Sequence, residues 1–136
     1  MSVRMDLHNL LNYSVALSPD QGAADNTAKV SNIIDRQGFH ALEFVIQTGT
    51  VGDAAATFTV LLEEGDASNL SDNTAVADAD MLGTEAAAGF DQTGDDAVTK
   101  IGYIGSKRYV RLTITPADNG TAWDIACLAV QSQRVA

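Results

Sequence analysis

Between residues 101 and 114 the chain repeats large apolar side chains at a period of two, the spacing of a strand with one buried face. Val110, Leu112 and Ile114 fall on one side, and Tyr109, Arg111 and Thr113 on the other. A helix would scatter the same six residues around its circumference. Residues 101–104 and 109–114 are rich in β-branched and aromatic residues and flank Gly105-Ser106-Lys107. That pattern predicts a hairpin with strands at about 98–104 and 108–115.

The same period recurs along the chain. Leu11, Tyr13, Val15 and Leu17 alternate with Asn12, Ser14 and Ala16, and Ser18-Pro19-Asp20 reads as the closing turn. A weaker run covers 28–35. Leu42, Phe44 and Ile46 form another inward set, as do Phe58, Val60 and Leu62. Residues 123–130 are apolar on both faces apart from Asp124, which suits the middle of a sheet or a subunit contact. These runs are separated by clusters of Gly, Asn, Asp or Pro and predict an all-β fold, an antiparallel β-sandwich or β-barrel. Residues 1–10 form an N-terminal arm, and 11–136 a single β domain. Within it, 65–97 reads as a long acidic loop with few large apolar residues, a turn of helix being placed between 76 and 88.

The 136 residues are enough to bury a core without staples. Net charge is −10, and no Lys or Arg occurs from Gln37 to Thr99, a span holding 12 of the 18 acidic residues. That balance argues against nucleic acid and against an anionic membrane as partners, since both demand clustered cations. No apolar stretch reaches the ~18–20 residues of a membrane-spanning helix. Residues 1–9 lack the apolar run of a signal peptide, and the lone Cys127 rules out an internal disulfide, so synthesis in a reducing cytosol is expected.

Chemistry-bearing patterns are scarce. His8 and His40 are the only imidazoles, and neither accompanies a nucleophile motif. A calcium loop counted from Asp72 meets Ala77 where glycine is required and Gly83 where the bidentate Glu belongs. Adjacent carboxylates such as Glu63-Glu64 and Asp95-Asp96 point apart rather than across a cleft. No enzyme activity, metal or cofactor is therefore expected. The one basic patch is Lys107, Arg108 and Arg111, either a solvated strand face or a ridge that docks an acidic surface.

Taken together, Asp35-Arg36-Gln37-Gly38-Phe39 within 32–44, Leu61-Leu62-Glu63-Glu64-Gly65-Asp66 within 56–66, Asp78-Ala79-Asp80-Met81-Leu82-Gly83 within 78–84, and Gly102-Tyr103-Ile104-Gly105-Ser106-Lys107-Arg108 within 100–110 resemble small virion structural proteins of tailed bacteriophages. The resemblance spans about residues 5–134. It implies a capsid decoration (cement) protein on the exterior of the head, bound to the major capsid protein and self-associated, a trimer being favoured. It carries no catalytic residues. Expected capsid or self-association contacts are Met5, Leu7, Leu10 and Leu11 in and beside the arm, with Lys107, Arg108 and Arg111 on the hairpin. A head–tail or tail component is an alternative, as is a host-surface or carbohydrate-binding module using Tyr13, Tyr103, Tyr109 and Trp123.

Overall fold

A computed structural model of the chain describes residues 6–133. In chain order the elements are α1 (Leu7–Leu10), β1 (Leu11–Gly22), β2 (Lys29–Val30), β3 (Ile34–Asp35), β4 (Phe39–Val51), β5 (Thr57–Gly65), β6 (Thr74–Ala75), β7 (Met81–Leu82), α2 (Glu85–Ala88), β8 (Phe90–Asp91), β9 (Val98–Tyr103), β10 (Tyr109–Ala117) and β11 (Trp123–Gln133). They form two antiparallel sheets packed face to face. The first runs β1-β11-β4-β9-β7, and the second β2-β10-β5-β6 with β3 added to β10 and β8 to β5. The fold is thus an all-β sandwich, and no barrel closes.

Alternation places the core as expected. Leu42, Phe44 and Ile46 of β4, Ile125, Cys127 and Ala129 of β11, and Ile101 and Tyr103 of β9 point inward from the first sheet. Phe58, Val60 and Leu62 of β5 meet them from the second sheet, with Val110, Leu112 and Ile114 of β10. Phe58, Phe90 and Trp123 cluster at one end, Phe58 lying 4.8 Å from Phe90 and 4.6 Å from Trp123 between ring centroids. Strand β11 lies between β1 and β4, in keeping with its apolar character on both faces.

The expected hairpin at 98–104 and 108–115 is corrected. β9 pairs with β4 and β7 in the first sheet, whereas β10 pairs with β5, β2 and β3 in the second. Both edges of each strand are taken, so residues 104–108 cross between the layers instead of turning back. Several contacts hold that crossing. Ile104 N–H donates to the Asp80 carbonyl at 2.8 Å, and Arg36 N–H to the Arg108 carbonyl at 2.9 Å. The Tyr103 hydroxyl accepts from Lys107 N–H at 3.0 Å and donates to the Glu64 carboxylate, while the Arg36 guanidinium lies 4.6 Å over the Tyr103 ring.

A second correction concerns β1. Ser18-Pro19-Asp20 does not end the strand, which runs on to Gly22 through register shifts at Val15/Leu17 and Leu17/Asp20. Each shift admits unpaired residues and resets which side chains face inward. Ala16 and Leu17 are both buried, and Val15 is turned outward.

Residues 66–97 contribute strands to both layers: β6 and β8 flank β5, and β7 flanks β9. Leu70, Val76, Met81 and Ala88 are the side chains that anchor this segment in the core. Its one α-helical turn is α2, capped by the Thr84 hydroxyl accepting from Ala87 N–H at 3.0 Å, with single 3-10 turns at Asp78–Asp80 and Gln92–Gly94. Gly83, at φ +83°, keeps the helix from starting earlier.

Candidate interaction site

The basic residues named from sequence sit on the second sheet and the crossing, and each meets a carboxylate of its own chain. Arg108 grips Asp35 through two 2.9 Å bonds. Lys107 Nζ lies 2.8 Å from Asp66, and Arg111 Nη2 2.9 Å from Glu63. The Arg108 bond holds the Asp35 carboxyl below its ordinary range, and Asp66 raises Lys107 above its own. Both carboxylate-rich partner strips, 63–66 and Asp35, thus sit beside the patch itself. The Lys107 and Arg108 pairs are solvent-exposed and add little to stability, whereas the Arg111–Glu63 pair is partly buried.

The arm residues sit elsewhere. Met5 lies outside the described residues. Leu7 and Leu10 project from α1, which leads directly into β1 at the edge of the first sheet, and Leu11 is half-buried at the start of that strand. The structure therefore separates the two sequence-named sets rather than uniting them.

β1, into which the arm leads, carries a surface that the sequence did not single out. Register places Tyr13 beside Val130 and Val15 beside Leu128, with Val45 beyond Leu128 and Lys100 beyond Val45, all on the outer face of the first sheet. Tyr13 is 52% exposed, Val15 46%, Leu128 44%, Val98 61% and Leu82 59%. Leu82 lies against Gly102, where a Cβ would come within 2.9 Å of it. The outer face of the second sheet contrasts sharply, being built from Thr57, Thr59, Glu63, Arg111, Thr113 and Thr115 with Leu61 and Val30 among them. The outer face of the first sheet carries an apolar strip of Tyr13, Val15, Val130, Leu128 and Val45, bounded by Glu43, Gln47 and Lys100, whereas the other broad face is mostly polar. The readable signal was the two-sided apolar run of β11. The register shift after Val15, which puts Leu17 on the inner face while Tyr13 and Val15 share the outer one, left no mark in the alternation.

A groove of about 680 Å³ opens along the edge of β5 away from β10, lined by Thr57, Thr59, Val60, Glu85, Ala86 and Asp91 among others. Its wall is formed where α2 ends against β5. A Cβ on Gly89 would stand 2.7 Å from the Phe58 carbonyl oxygen, so only glycine lets the helix end approach so closely.

Among the described residues, no three His, Cys, Asp or Glu side chains gather in a cluster that could hold a metal ion. His8 and His40 are both exposed, on α1 and β4. Cys127 is buried, and loss of solvent pushes its thiol up to about 12. Of the four aromatics available to a sugar-binding reading, Tyr103 and Trp123 are in the core, Tyr109 is half-buried, and Tyr13 alone is exposed. Among the described residues, no helix is long and apolar enough to cross a membrane.

No protein-family model and no curated protein sequence matches the chain. Its fold is similar to that of part of a solved structure described as the infectious bursal disease virus VP2 subviral particle. The TM-score is 0.56 at 12% identity, over 90% of this chain and 32% of that one. A structure of the Gx strain of the same virus aligns over the same shares at 16% identity, with a TM-score of 0.47. The chain thus spans about a third of the length of the solved proteins it matches.

Proposed function

We propose that this protein is a virion structural component, a decoration protein that lays the outer face of its first sheet on the shell of a phage head and stabilises contacts between capsomers. The observation that carries the reading is the exposed apolar strip on the outer face of the first sheet, Tyr13 and Val15 beside Val130 and Leu128 with Val45 beyond. A monomeric domain seldom leaves such a strip to water, and in a shell it is covered by a neighbour. The sequence resemblance to phage virion proteins supports the same reading, as does the likeness of the fold to a viral particle protein. The major capsid protein is the partner, the capsid exterior the location, and a trimer around a symmetry axis the working form. No catalytic step enters, and many weak copies together yield a strong lattice.

Co-sedimentation with undecorated capsids tests the proposal. The wild-type protein pellets with the particles, and a Leu128→Glu variant that keeps its fold stays in the supernatant. Equal pelleting of both proteins, or of neither, overturns it. A head–tail or tail position would use the same face, and imaging of the particle distinguishes the two.

A further inference from the structure

The edge of β5 away from β10 is covered in pieces. Phe58 pairs with Phe90 of β8 at one end, and Glu64 with Thr74 of β6 at the other. Between them, the Leu62 N–H donates to Glu85 Oε1 at 2.8 Å, and the Leu62 carbonyl accepts from Val76 N–H at 3.0 Å. Main-chain groups of alternate residues in an antiparallel strand point to the same side. Val60, midway between Phe58 and Leu62, therefore also aims its N–H and C=O away from β10. Among the described residues neither group has a hydrogen-bond partner from the flanking segments. It lies on the wall of the 680 Å³ groove.

The charge of that groove is one-sided. Every lining residue belongs to the span from Gln37 to Thr99, which contains no Lys or Arg. Glu85 and Asp91 line it, and Asp91 Oδ1 takes both bonds from Thr93, leaving Oδ2 outside them.

We propose that the groove receives an extended, lysine- or arginine-bearing segment of another polypeptide, which adds to β5 at Val60 by two main-chain hydrogen bonds. Strand addition supplies the affinity through the backbone, and the carboxylates select cationic side chains. Aligned this way, the segment occupies the one gap between β8 and β6. The contact is short and weak singly, and it becomes effective when many copies are displayed together.

The test uses the intact protein, isotopically labelled for amide NMR, and a capped Lys-Val-Lys tripeptide, whose three residues span only the positions opposite Thr59, Val60 and Leu61. The Val60 amide is expected to shift most, together with groove amides at Thr59, Ala86 and Asp91. Methylating the central peptide nitrogen removes one main-chain donor and weakens binding about tenfold. Replacing both lysines by glutamate abolishes the shifts. Absence of a Val60 shift at millimolar lysine peptide overturns the proposal, as does equal binding by the methylated or the glutamate peptide. Changes confined to the peptide leave the protein's folding untouched. Failure here is separable from failure of capsid binding, because no groove residue belongs to the outer face of the first sheet.

Discussion

The indole of Trp123 occupies the space where a side chain on Gly22 would begin. The two residues are paired across β1 and β11, and the ring is held from its other side by Phe58 and Phe90. Gly22→Ala has nowhere to put its methyl group, because the indole has no room to retreat. The variant is expected to lose about 1–3 kcal/mol, the usual cost of overpacking a filled core. A urea titration checks this: the midpoint falls while the slope stays unchanged.

Tyr103→Phe removes the hydroxyl that bonds both Glu64 and the Lys107 N–H. Stability should drop by about 1–3 kcal/mol, since two partners lose their bond at once. Hydrogen exchange tells this from a diffuse effect. The Lys107 amide should lose its protection, and amides of β11 should keep theirs.

Alkaline pH should weaken the fold in a defined window. Burial, followed by the bond to Glu64, holds the Tyr103 phenol well above its ordinary 10.0, and burial moves Cys127 from 9.0 to about 12. The unfolded chain releases both protons near their ordinary values, while the folded chain retains them. This contribution is therefore fully present below about pH 9 and is lost as pH rises toward 12, at up to about 1.4 kcal/mol per unit for each group. A denaturation series from pH 8 to pH 11 reads the slope, which flattens in a Tyr103→Phe, Cys127→Ala variant.

Cys127 should also be inert to thiol reagents while the protein is folded, because only the thiolate reacts and burial suppresses it. Labelling should follow global unfolding and report its rate. Fast labelling of native protein at pH 8 would contradict this placement.

Leu70 sets strain against burial. Its φ of 53° costs a non-glycine residue about 1–2 kcal/mol, yet its side chain is 1% exposed. Leu70→Gly relieves the first and forfeits the second, and truncation of a buried leucine costs about 2–5 kcal/mol. Burial wins, so the variant is expected to melt lower than wild type in a thermal scan.

Strand period was legible along the chain because it is a local property: two faces of one strand differ within six residues, as Val110, Leu112 and Ile114 show. Hence the all-β class, the inward sets of β4, β5 and β10, and the interior place of β11 could all be read in advance. Assignment of strands to layers is not local. The five residues from 104 to 108 have the composition of a hairpin turn, yet pairing of β9 with β4 and of β10 with β5 leaves neither strand an edge for the other. The apolar strip on the outer face was hidden for the same reason. It arises only when a register shift in β1 separates the outward Tyr13 and Val15 from the inward Leu17 and β11 brings Leu128 beside Val15. The open edge at Val60 likewise depends on where β6, β8 and Glu85 stop, and long-range packing alone decides that.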